Sequence, residues 1–337
     1  MGKPARIATI CQNGEILPSV EENRSLIIRR LEHALAVNPD LVVLPETFTT
    51  VGAGKDSSNH AESIPGPTTD ACSALAKANA AYIVCPILTK RDDAIWNSAV
   101  ILGRNGEIVG VYDKAQPVTS SEDYTEMERG VCPGITPSPV FDLDIGRVGV
   151  QICYDVGFLE SWQSLADQGA ELVLWPSAYN GGFPLEAYAY LHHFYVVTSV
   201  RTDASRIIDP MGVVLAKTDS RLNVLYRDLS LDYVVSHWDF NYSIPESIID
   251  AYGDRVSIRS DRDSGHFIVE SKDETLKVAE LMSEFGFEST GLYHERHRNA
   301  YRDLRNGRAA QPQQAAHAKR SQFSKGSLKN KFTFSPV

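Results

Sequence analysis

The 337-residue chain is predicted to adopt an α/β fold with a mixed sheet. Short apolar runs typical of strands alternate with segments whose apolar residues have helical spacing, which is typical of α/β proteins. Two glycine-containing turns, Asn105-Gly106 and Pro210–Gly212, each join two strand-like runs and predict hairpins. Because a hairpin pairs its strands antiparallel, a purely parallel doubly wound fold is disfavoured.

The elements follow in chain order from the apolar periodicity. The first strand is expected at 5–11, and the first helix at 19–37, where Asn38-Pro39-Asp40 stops it. Further helices are predicted at 68–80, 159–168 and 185–193. Further strands are predicted at 41–44, 82–87, 98–103, 108–112, 147–152, 172–175 and 195–200, with a hairpin over 206–215.

The regular alternation ends near Leu231, which defines the predicted domains. Residues 1–235 are expected to form one α/β domain. Residues 236–305, with two short strands, a helix at 275–285 and a charged helix at 293–305, form a C-terminal extension expected to contribute to an oligomer contact. Residues 306–337 are basic and poor in apolar groups, which predicts a flexible tail. The alternative is an arm that becomes ordered against another subunit.

Composition excludes several classes of function. The net charge of −10 argues against a nucleic-acid partner, because such partners bind basic surfaces. No apolar run approaches the roughly 20 residues that span a bilayer, and the N-terminus has no signal-peptide pattern. The five cysteines include no CxxC pair, which disfavours a cysteine zinc site. A cytoplasmic, reducing location is expected.

Three strand-like runs end in different reactive groups, Glu46, Lys114 and Cys153. A thiol of ordinary pKa, about 8.5, is mostly protonated at neutral pH and needs a base to act as a nucleophile. Glu46 is a candidate base, if burial raises its pKa. Lys114 is a candidate to stabilise the thiolate and an oxyanion, together with the backbone N–H of Tyr154. Each residue alone is usually structural, but the combination indicates catalysis.

The same residues lie in a set of sequence blocks that resembles the nitrilase or carbon–nitrogen hydrolase superfamily. The resemblance covers about residues 5–230 and keeps the order of the blocks. The blocks are Leu44-Pro45-Glu46-Thr47-Phe48, Trp96-Asn97-Ser98 with Gly106 and Gly110-Val111-Tyr112-Asp113-Lys114, Pro133-Gly134, and Gly149-Val150-Gln151-Ile152-Cys153-Tyr154-Asp155.

The resemblance implies a four-layer αββα sandwich that forms a homodimer or higher homo-oligomer. It implies Cys153 as nucleophile, Glu46 as general base and Lys114 as oxyanion stabiliser. The reaction implied is attack on an amide, carbamoyl or nitrile carbon, followed by hydrolysis of a thioester, with no metal or organic cofactor. Members of the family also use a second glutamate; Glu122, Glu126 and Glu128 are candidates, and the spacing to Pro133 favours Glu126.

The branch of the family is indicated by Tyr154-Asp155, which resembles amidases and carbamoylases, whereas nitrilases tend to have Trp-Glu there. The expected partner is therefore a small amide or carbamoyl compound. Candidate substrate contacts are Tyr154, Phe48, Tyr179 and Asn180, although a plain turn with an aromatic lid explains the last two equally well. The segment 187–195 lacks the Glu-Asn pair usual in the family.

Other functions stay open at this point. Nitrile hydrolysis, or transfer of the acyl group to an acceptor other than water, uses the same residues. A non-catalytic scaffold of the same fold is a second class. A cysteine–histidine peptidase is a third, and it requires His192 or His193 beside Cys153.

Overall fold

The computed structural model describes residues 4–319. These residues divide into two compact units, 5–229 and 230–319, the latter together with Pro4. The predicted domain boundary at 235 therefore falls inside a strand of the second unit, Tyr233–His237.

The first unit contains twelve strands and four helices. The strands are β1 (Ala5–Ile10), β2 (Leu41–Val43), β3 (Tyr82–Arg91), β4 (Ala94–Leu102), β5 (Ile108–Asp113), β6 (Val140–Leu143), β7 (Gly146–Val150), β8 (Leu172–Ser177), β9 (Tyr195–Val200), β10 (Arg206–Ile208), β11 (Val214–Lys217) and β12 (Val224–Leu229). The helices are α1 (Val20–Leu35), α2 (Pro67–Asn79), α3 (Leu159–Asp167) and α4 (Phe183–His192).

The strands form two six-stranded mixed sheets. The first has the order β12-β1-β2-β3-β4-β5 and the second the order β11-β10-β9-β8-β7-β6. In each sheet the central strands are parallel, as in the pairs β1–β2 and β8–β9, and the outer neighbours are antiparallel. This agrees with the expectation of hairpins within an α/β chain.

The helices pack with their apolar faces against the two sheets, which gives four layers. Ile27 and Leu31 of α1 and Ala76 of α2 are buried against the first sheet, and Trp162 of α3 and Leu185 of α4 against the second. Each of the buried Ile and Leu side chains contributes roughly 1.5–3 kcal/mol by leaving water. The sheets meet at β1 and β9, where Thr9 Oγ1 donates to the carbonyl of Thr198 over 2.6 Å. The predicted αββα sandwich is confirmed.

Several elements differ from the sequence prediction. β3 and β4 are longer than expected because they continue to a tight hairpin at Asp92-Asp93, where both residues have positive φ (49° and 63°). Aspartate tolerates this conformation better than most residues. β6 and β12 were not predicted, because they are short and their residues do not alternate clearly between apolar and polar.

The second unit has one antiparallel sheet in the order β13-β15-β14. Its elements are β13 (Tyr233–His237), α5 (Ile244–Tyr252), β14 (Val256–Asp261), β15 (His266–Ser271), α6 (Val278–Phe285) and α7 (Thr290–Arg305). Phe267, Val269 and Leu281 lie in its apolar core. The sequence predicted β14, β15 and the last two helices but not β13 or α5.

The predicted flexible tail begins at residue 306. Its described part contacts the second unit: Gln313 Nε2 donates to the carbonyl of Arg296 over 2.8 Å, and the His317 ring stacks on Phe240 with centroids 4.3 Å apart. Residues 320–337 lie outside the described residues. Within 4–319, no helix combines the length and apolar composition that a membrane span requires.

Candidate active site

Three reactive side chains of the first unit lie in one cavity, each at the carboxyl end of a strand. Glu46 follows β2 by three residues, Lys114 follows β5 directly, and Cys153 follows β7 by three residues. All three line a cavity of about 580 Å³. The structure therefore brings together the thiol, the carboxylate and the ammonium that the sequence indicated.

The buried charges of this cavity are paired. Lys114 Nζ lies 3.1 Å from Glu46 Oε1 and 2.5 Å from Glu128 Oε1. Asn97 Nδ2 donates to the same two carboxylates, over 2.9 Å to Glu46 and 3.3 Å to Glu128. Lys114 is 1% exposed and Glu46 4% exposed, so each needs an opposite charge to offset the cost of leaving water.

The main chain of Lys114 is fixed on both sides. Its N–H donates to the carbonyl of Asn97, and its carbonyl accepts from the N–H of Gly134, both over 2.8 Å. A Cβ at Gly134 would lie 2.1 Å from the carbonyl oxygen of Asp113, so only glycine allows this approach. The Pro133-Gly134 block therefore positions the lysine.

Cys153 begins a short 3₁₀ turn, Cys153–Gly157, with a φ of 49°. A non-glycine residue in this left-handed region is strained by about 1–3 kcal/mol and persists only when its surroundings hold it. Three aromatic side chains do so by donating to carbonyls of the turn. Trp175 Nε1 donates to Cys153 over 3.1 Å, Trp162 Nε1 to Asp155 over 3.1 Å, and the Tyr188 hydroxyl to Val156 over 2.9 Å.

The carboxylate of Asp155 links the cysteine turn to the segment after Lys114. It accepts from the N–H of Ile152 and the hydroxyl of Tyr112, both over 2.7 Å, and from the N–H of Gln116 over 2.8 Å. Burial raises the pKa of Asp155 to about 6, against the opposing effect of the Ile152 and Tyr112 hydrogen bonds.

The thiol is neutral in the resting site. Burial raises the pKa of Cys153 to about 12, and the charge of Glu46 adds to this, while Lys114 and a hydrogen bond with Ser177 oppose it. Burial also lowers the pKa of Lys114, but Glu46, Cys153 and Glu128 outweigh burial, so the net pKa is raised and the side chain is an ammonium.

The expectation that burial raises the pKa of Glu46 is wrong in its net result. Burial does act in that direction and is the largest single influence. Lys114, Arg201 and the Asn97 hydrogen bond together outweigh it, so the pKa of Glu46 is lowered. Glu46 is therefore a carboxylate at neutral pH, ready to accept a proton.

The second glutamate at the lysine is Glu128, which corrects the choice of Glu126. Glu126 is exposed, and its carboxylate accepts from Ser120 Oγ over 3.1 Å; Glu122 is exposed as well. Glu128 and Arg129 both have positive φ (38° and 58°), which turns the loop so that Glu128 faces Lys114. Spacing to Pro133 could not reveal that turn.

Two predicted substrate contacts lie away from the cavity. Phe48 is completely buried in the apolar core between the first sheet and its helices, so the expectation that it walls the pocket is wrong. Its position one residue after Thr47, which has a φ of 41°, turns the ring inward toward the core. Asn180 contributes its carbonyl to Arg206 Nη2 over 2.6 Å and does not line the cavity.

Tyr154 and Tyr179 lie near the cavity mouth without lining it. Tyr154 is 44% exposed and Tyr179 41% exposed, and Tyr179 packs edge-on against Trp175. The residue between Ser177 and Tyr179, Ala178, does line the cavity. Substrate contact by the two tyrosines, and an oxyanion contact from the Tyr154 N–H, stay predictions.

The histidines that a peptidase would need lie elsewhere. His193 Nδ1 is 3.1 Å from the carbonyl of Pro210, and the His192 ring packs against Tyr188 and Phe194. Of the residues described, no histidine lines the cavity. Nor do residues 4–319 contain a group of three or more His, Cys, Asp or Glu side chains arranged to hold a metal.

Sequence reasoning missed Asn97 and Arg201 as cavity residues, and it named Glu128 as a candidate without favouring it. Asn97 lies in a quoted block, so its position was visible but its role was not. Arg201 directly follows β9, the same context in which Lys114 follows β5, and that signal was available.

Comparison with known proteins agrees with this geometry. The family model for carbon–nitrogen hydrolases matches residues 7–237. Omega-amidase NIT2 of Xenopus tropicalis is 28% identical over 241 residues, which cover 65% of this chain and 87% of that protein. A nitrilase of Pyrococcus abyssi is 32% identical over 176 residues, covering 51% of this chain and 64% of that protein.

Solved structures share the fold. An amidase from Nesterenkonia sp. superposes with a TM-score of 0.59 at 21% identity, covering 68% of this chain and 91% of that one. Nit3 of Saccharomyces cerevisiae superposes with a TM-score of 0.58 at 22% identity, covering 67% and 90%. Because the family model spans most of the chain, this protein belongs to the carbon–nitrogen hydrolase family and is a hydrolase of carbon–nitrogen bonds.

Proposed function

We propose that this chain hydrolyses a small amide or carbamoyl compound through a thioester on Cys153. The observation that carries the proposal is the convergence of Glu46, Lys114 and Cys153 in one cavity. Amide hydrolysis is favoured over nitrile hydrolysis by Tyr154-Asp155 after the cysteine and by the omega-amidase relatives.

In the first step the sulfur of Cys153 attacks the carbonyl carbon. Glu46 accepts the thiol proton while the carbon–sulfur bond forms, and the carbonyl oxygen becomes negative. The ammonium of Lys114 stabilises that oxygen. Because the pKa of the thiol is raised to about 12 and that of Glu46 is lowered, proton transfer is unfavourable until the carbon is attacked. The thiol is thus activated by the bound substrate and not in the empty site.

Collapse of the intermediate breaks the carbon–nitrogen bond, and the protonated Glu46 gives its proton to the leaving amine. Water then attacks the thioester carbon, with Glu46 as base, and releases the acid and the free thiol. The role of Glu128 is to hold Lys114 Nζ, which it contacts at 2.5 Å, in position between the two carboxylates. No step needs a metal or organic cofactor.

The proposal is tested by replacing the nucleophile. Cys153→Ala should lower kcat/KM for amides by roughly 10⁴-fold or more, as for other removed nucleophiles, while the protein keeps its thermal unfolding temperature. Intact-mass spectrometry of the unmodified protein, incubated with amides, carbamoyl compounds and nitriles, should detect an acyl adduct that the alanine variant lacks. Cys72→Ala, which removes another buried thiol, is the control.

The outcomes separate the remaining functions. A product that appears only with an added amine acceptor would indicate acyl transfer, and an adduct formed with nitriles alone would indicate nitrile hydrolysis. If Cys153→Ala retained appreciable amide hydrolysis, the proposed mechanism would be wrong, and a chain that forms no adduct with any compound would fit the scaffold. The expected homo-oligomer and cytoplasmic location stay predictions, the first open to analytical ultracentrifugation.

A further inference from the structure

We propose that the second unit binds a nucleotide, with the phosphate at Arg298 and His294 of α7 and the base against Tyr301. The site is a cavity of about 400 Å³ within that unit. Its lining residues differ from those of the cavity that holds Cys153. The inference is therefore independent of the proposed hydrolysis.

One face of α7 supplies most of the lining of this cavity. Four lining side chains recur at intervals of three and four residues, which places them on the same side of the helix: His294, His297, Arg298 and Tyr301. Tyr293 and Asp239 complete the lining. Small-molecule sites have volumes of about 300–1,000 Å³, so the cavity is large enough for a ligand of nucleotide size.

Arg298 and His294 have no acidic partner in the described part of the chain. By contrast, Arg296 of the same helix forms an ion pair with Glu288. Burial lowers the pKa of His294, and the nearby charges of Arg298 and His297 lower it further. Positive groups thus lie close together at this cavity, and a bound anion would offset their repulsion. Arginine is well suited to phosphate because its guanidinium can donate two parallel hydrogen bonds.

The lining is held in place by contacts within the second unit. The hydroxyl of Tyr293 donates to Oδ2 of Asp239 over 2.9 Å, which engages the carboxylate of the lining. The ring of His237 stacks on Tyr293 with centroids 3.7 Å apart, and His297 Nδ1 lies 3.0 Å from the carbonyl of Tyr293. A site that is already ordered loses less conformational entropy when a ligand binds.

Tyr301 offers a surface for a planar ring. It lines the cavity and is 47% exposed, three residues after Arg298. Stacking of a nucleobase on an aromatic side chain contributes about 1–3 kcal/mol and tolerates any base. A cation for the phosphate and a ring for the base lie on one helix face, which favours a nucleotide over inorganic phosphate.

Other occupants fit this cavity less well. A guanidinium lies among the lining side chains, and residues 4–319 contain no group of side chains arranged to hold a metal. A nucleic acid is disfavoured by the net charge of −10 of the whole chain. The sequence of residues 320–337 contains four Lys or Arg residues and no Asp or Glu, so these side chains supply no anion for the site.

Calorimetry on the full-length protein tests the site. The ligands are the 5′-monophosphates of adenosine, guanosine, cytidine and uridine, the matching nucleosides, and inorganic phosphate. At least one monophosphate should bind about tenfold or more tightly than its nucleoside and than inorganic phosphate. Arg298→Gln should weaken this binding about tenfold, the low end for a charged hydrogen bond, because the guanidinium is exposed.

A second variant separates the base from the phosphate. Tyr301→Leu should weaken binding of the nucleotide about 5- to 150-fold, which corresponds to the stacking energy, and leave binding of inorganic phosphate unchanged. Because Arg298 and Tyr301 are both exposed, the two variants should keep the thermal unfolding temperature of the unmodified protein.

Arg302→Gln is the control, because it removes the same charge from an exposed position of α7 that does not line the cavity. Its affinity for the nucleotide should equal that of the unmodified protein. Absence of binding by every monophosphate at millimolar concentration would overturn the inference. Equal affinity for nucleotide and inorganic phosphate would reject the base contact, and an Arg298→Gln affinity equal to that of the control would reject the site.

Discussion

The two six-stranded sheets contribute to the cavity in different ways. The first sheet supplies Glu46 and Lys114, which Asn97 connects, and these side chains are held by charge. The second sheet supplies Cys153, which is held by a strained turn and by neutral donors such as Trp175. The charged side chains and the thiol of Cys153 are thus held in place by different interactions.

This difference predicts how substitutions on the charged side of the cavity, formed by the first sheet, and on the neutral side, formed by the cysteine turn of the second sheet, affect the protein. Breaking a buried ion pair leaves an uncompensated charge and costs about 3–5 kcal/mol, whereas losing one neutral hydrogen bond costs about 0.5–1.5 kcal/mol. Substitutions on the first sheet should therefore damage stability and activity together. Substitutions that remove one of the neutral donors around the cysteine turn should have smaller effects on both stability and activity.

Lys114→Met tests the charged side most severely. It removes the proposed oxyanion contact, which should lower kcat/KM by about 10²–10³-fold. It also leaves Glu46 and Glu128 together without their cation, which should lower the free energy of unfolding by about 3–5 kcal/mol. Lys90→Met, at an exposed lysine of β3, is the control for both measurements. Loss of activity with unchanged urea unfolding would contradict the view that charge holds this side together.

Asp155→Asn tests the linkage between the two sides through pH. The folded pKa, about 6, is raised above the ordinary value of 3.8, so the extra stability is complete below the ordinary value and is lost as pH rises through the folded pKa. The unfolding free energy of the unmodified protein, measured relative to Asp155→Asn, should therefore fall by about 2 kcal/mol between pH 4.5 and 7.5. If the difference in unfolding free energy between the two proteins stayed constant with pH, or increased, the pKa of Asp155 would not be raised in the folded protein.

Glu128→Gln separates the two candidate glutamates. The ammonium of Lys114 would keep its ion pair with Glu46 but lose its charged contact to residue 128. We therefore expect kcat/KM to fall about tenfold, which is close to the free energy of one charged hydrogen bond. Glu126→Gln should stay within about twofold of the unmodified protein, because that carboxylate is exposed. A larger loss of kcat/KM in Glu126→Gln than in Glu128→Gln would indicate that Glu126 is the second glutamate of the site.

The contrast also explains what the sequence could predict. Glu46, Lys114 and Cys153 each lie at the end of a strand-like run, so a local pattern reveals both the strand and the reactive group. The helices with strong apolar spacing, α1 among them, were found for the same reason. The layered sandwich was available only through the family resemblance, because periodicity does not show how two sheets pack.

What was missed depends on nonlocal geometry. Glu128 reaches Lys114 because of two positive φ angles in a loop, which no residue spacing encodes. The pKa of Glu46 was expected to rise with burial, but its direction depends on Lys114 and Arg201, which come from distant parts of the chain. Phe48 was expected in the pocket, but the main chain turns at Thr47, between it and Glu46.

Trp175→Phe tests the neutral side, where the smallest effect is expected. It removes the indole N–H that donates to the carbonyl of Cys153, while Trp162→Phe removes the equivalent donor to Asp155. Both should destabilise the protein by a similar amount, about 1–3 kcal/mol, through a lost hydrogen bond and lost volume. Because the left-handed φ belongs to Cys153 itself, Trp175→Phe should lower kcat about threefold, within the range for one neutral hydrogen bond, and Trp162→Phe should lower it much less. Equal losses of kcat in the two variants would mean that both hydrogen bonds stabilise the turn as a whole, and that the hydrogen bond to the carbonyl of Cys153 has no special role.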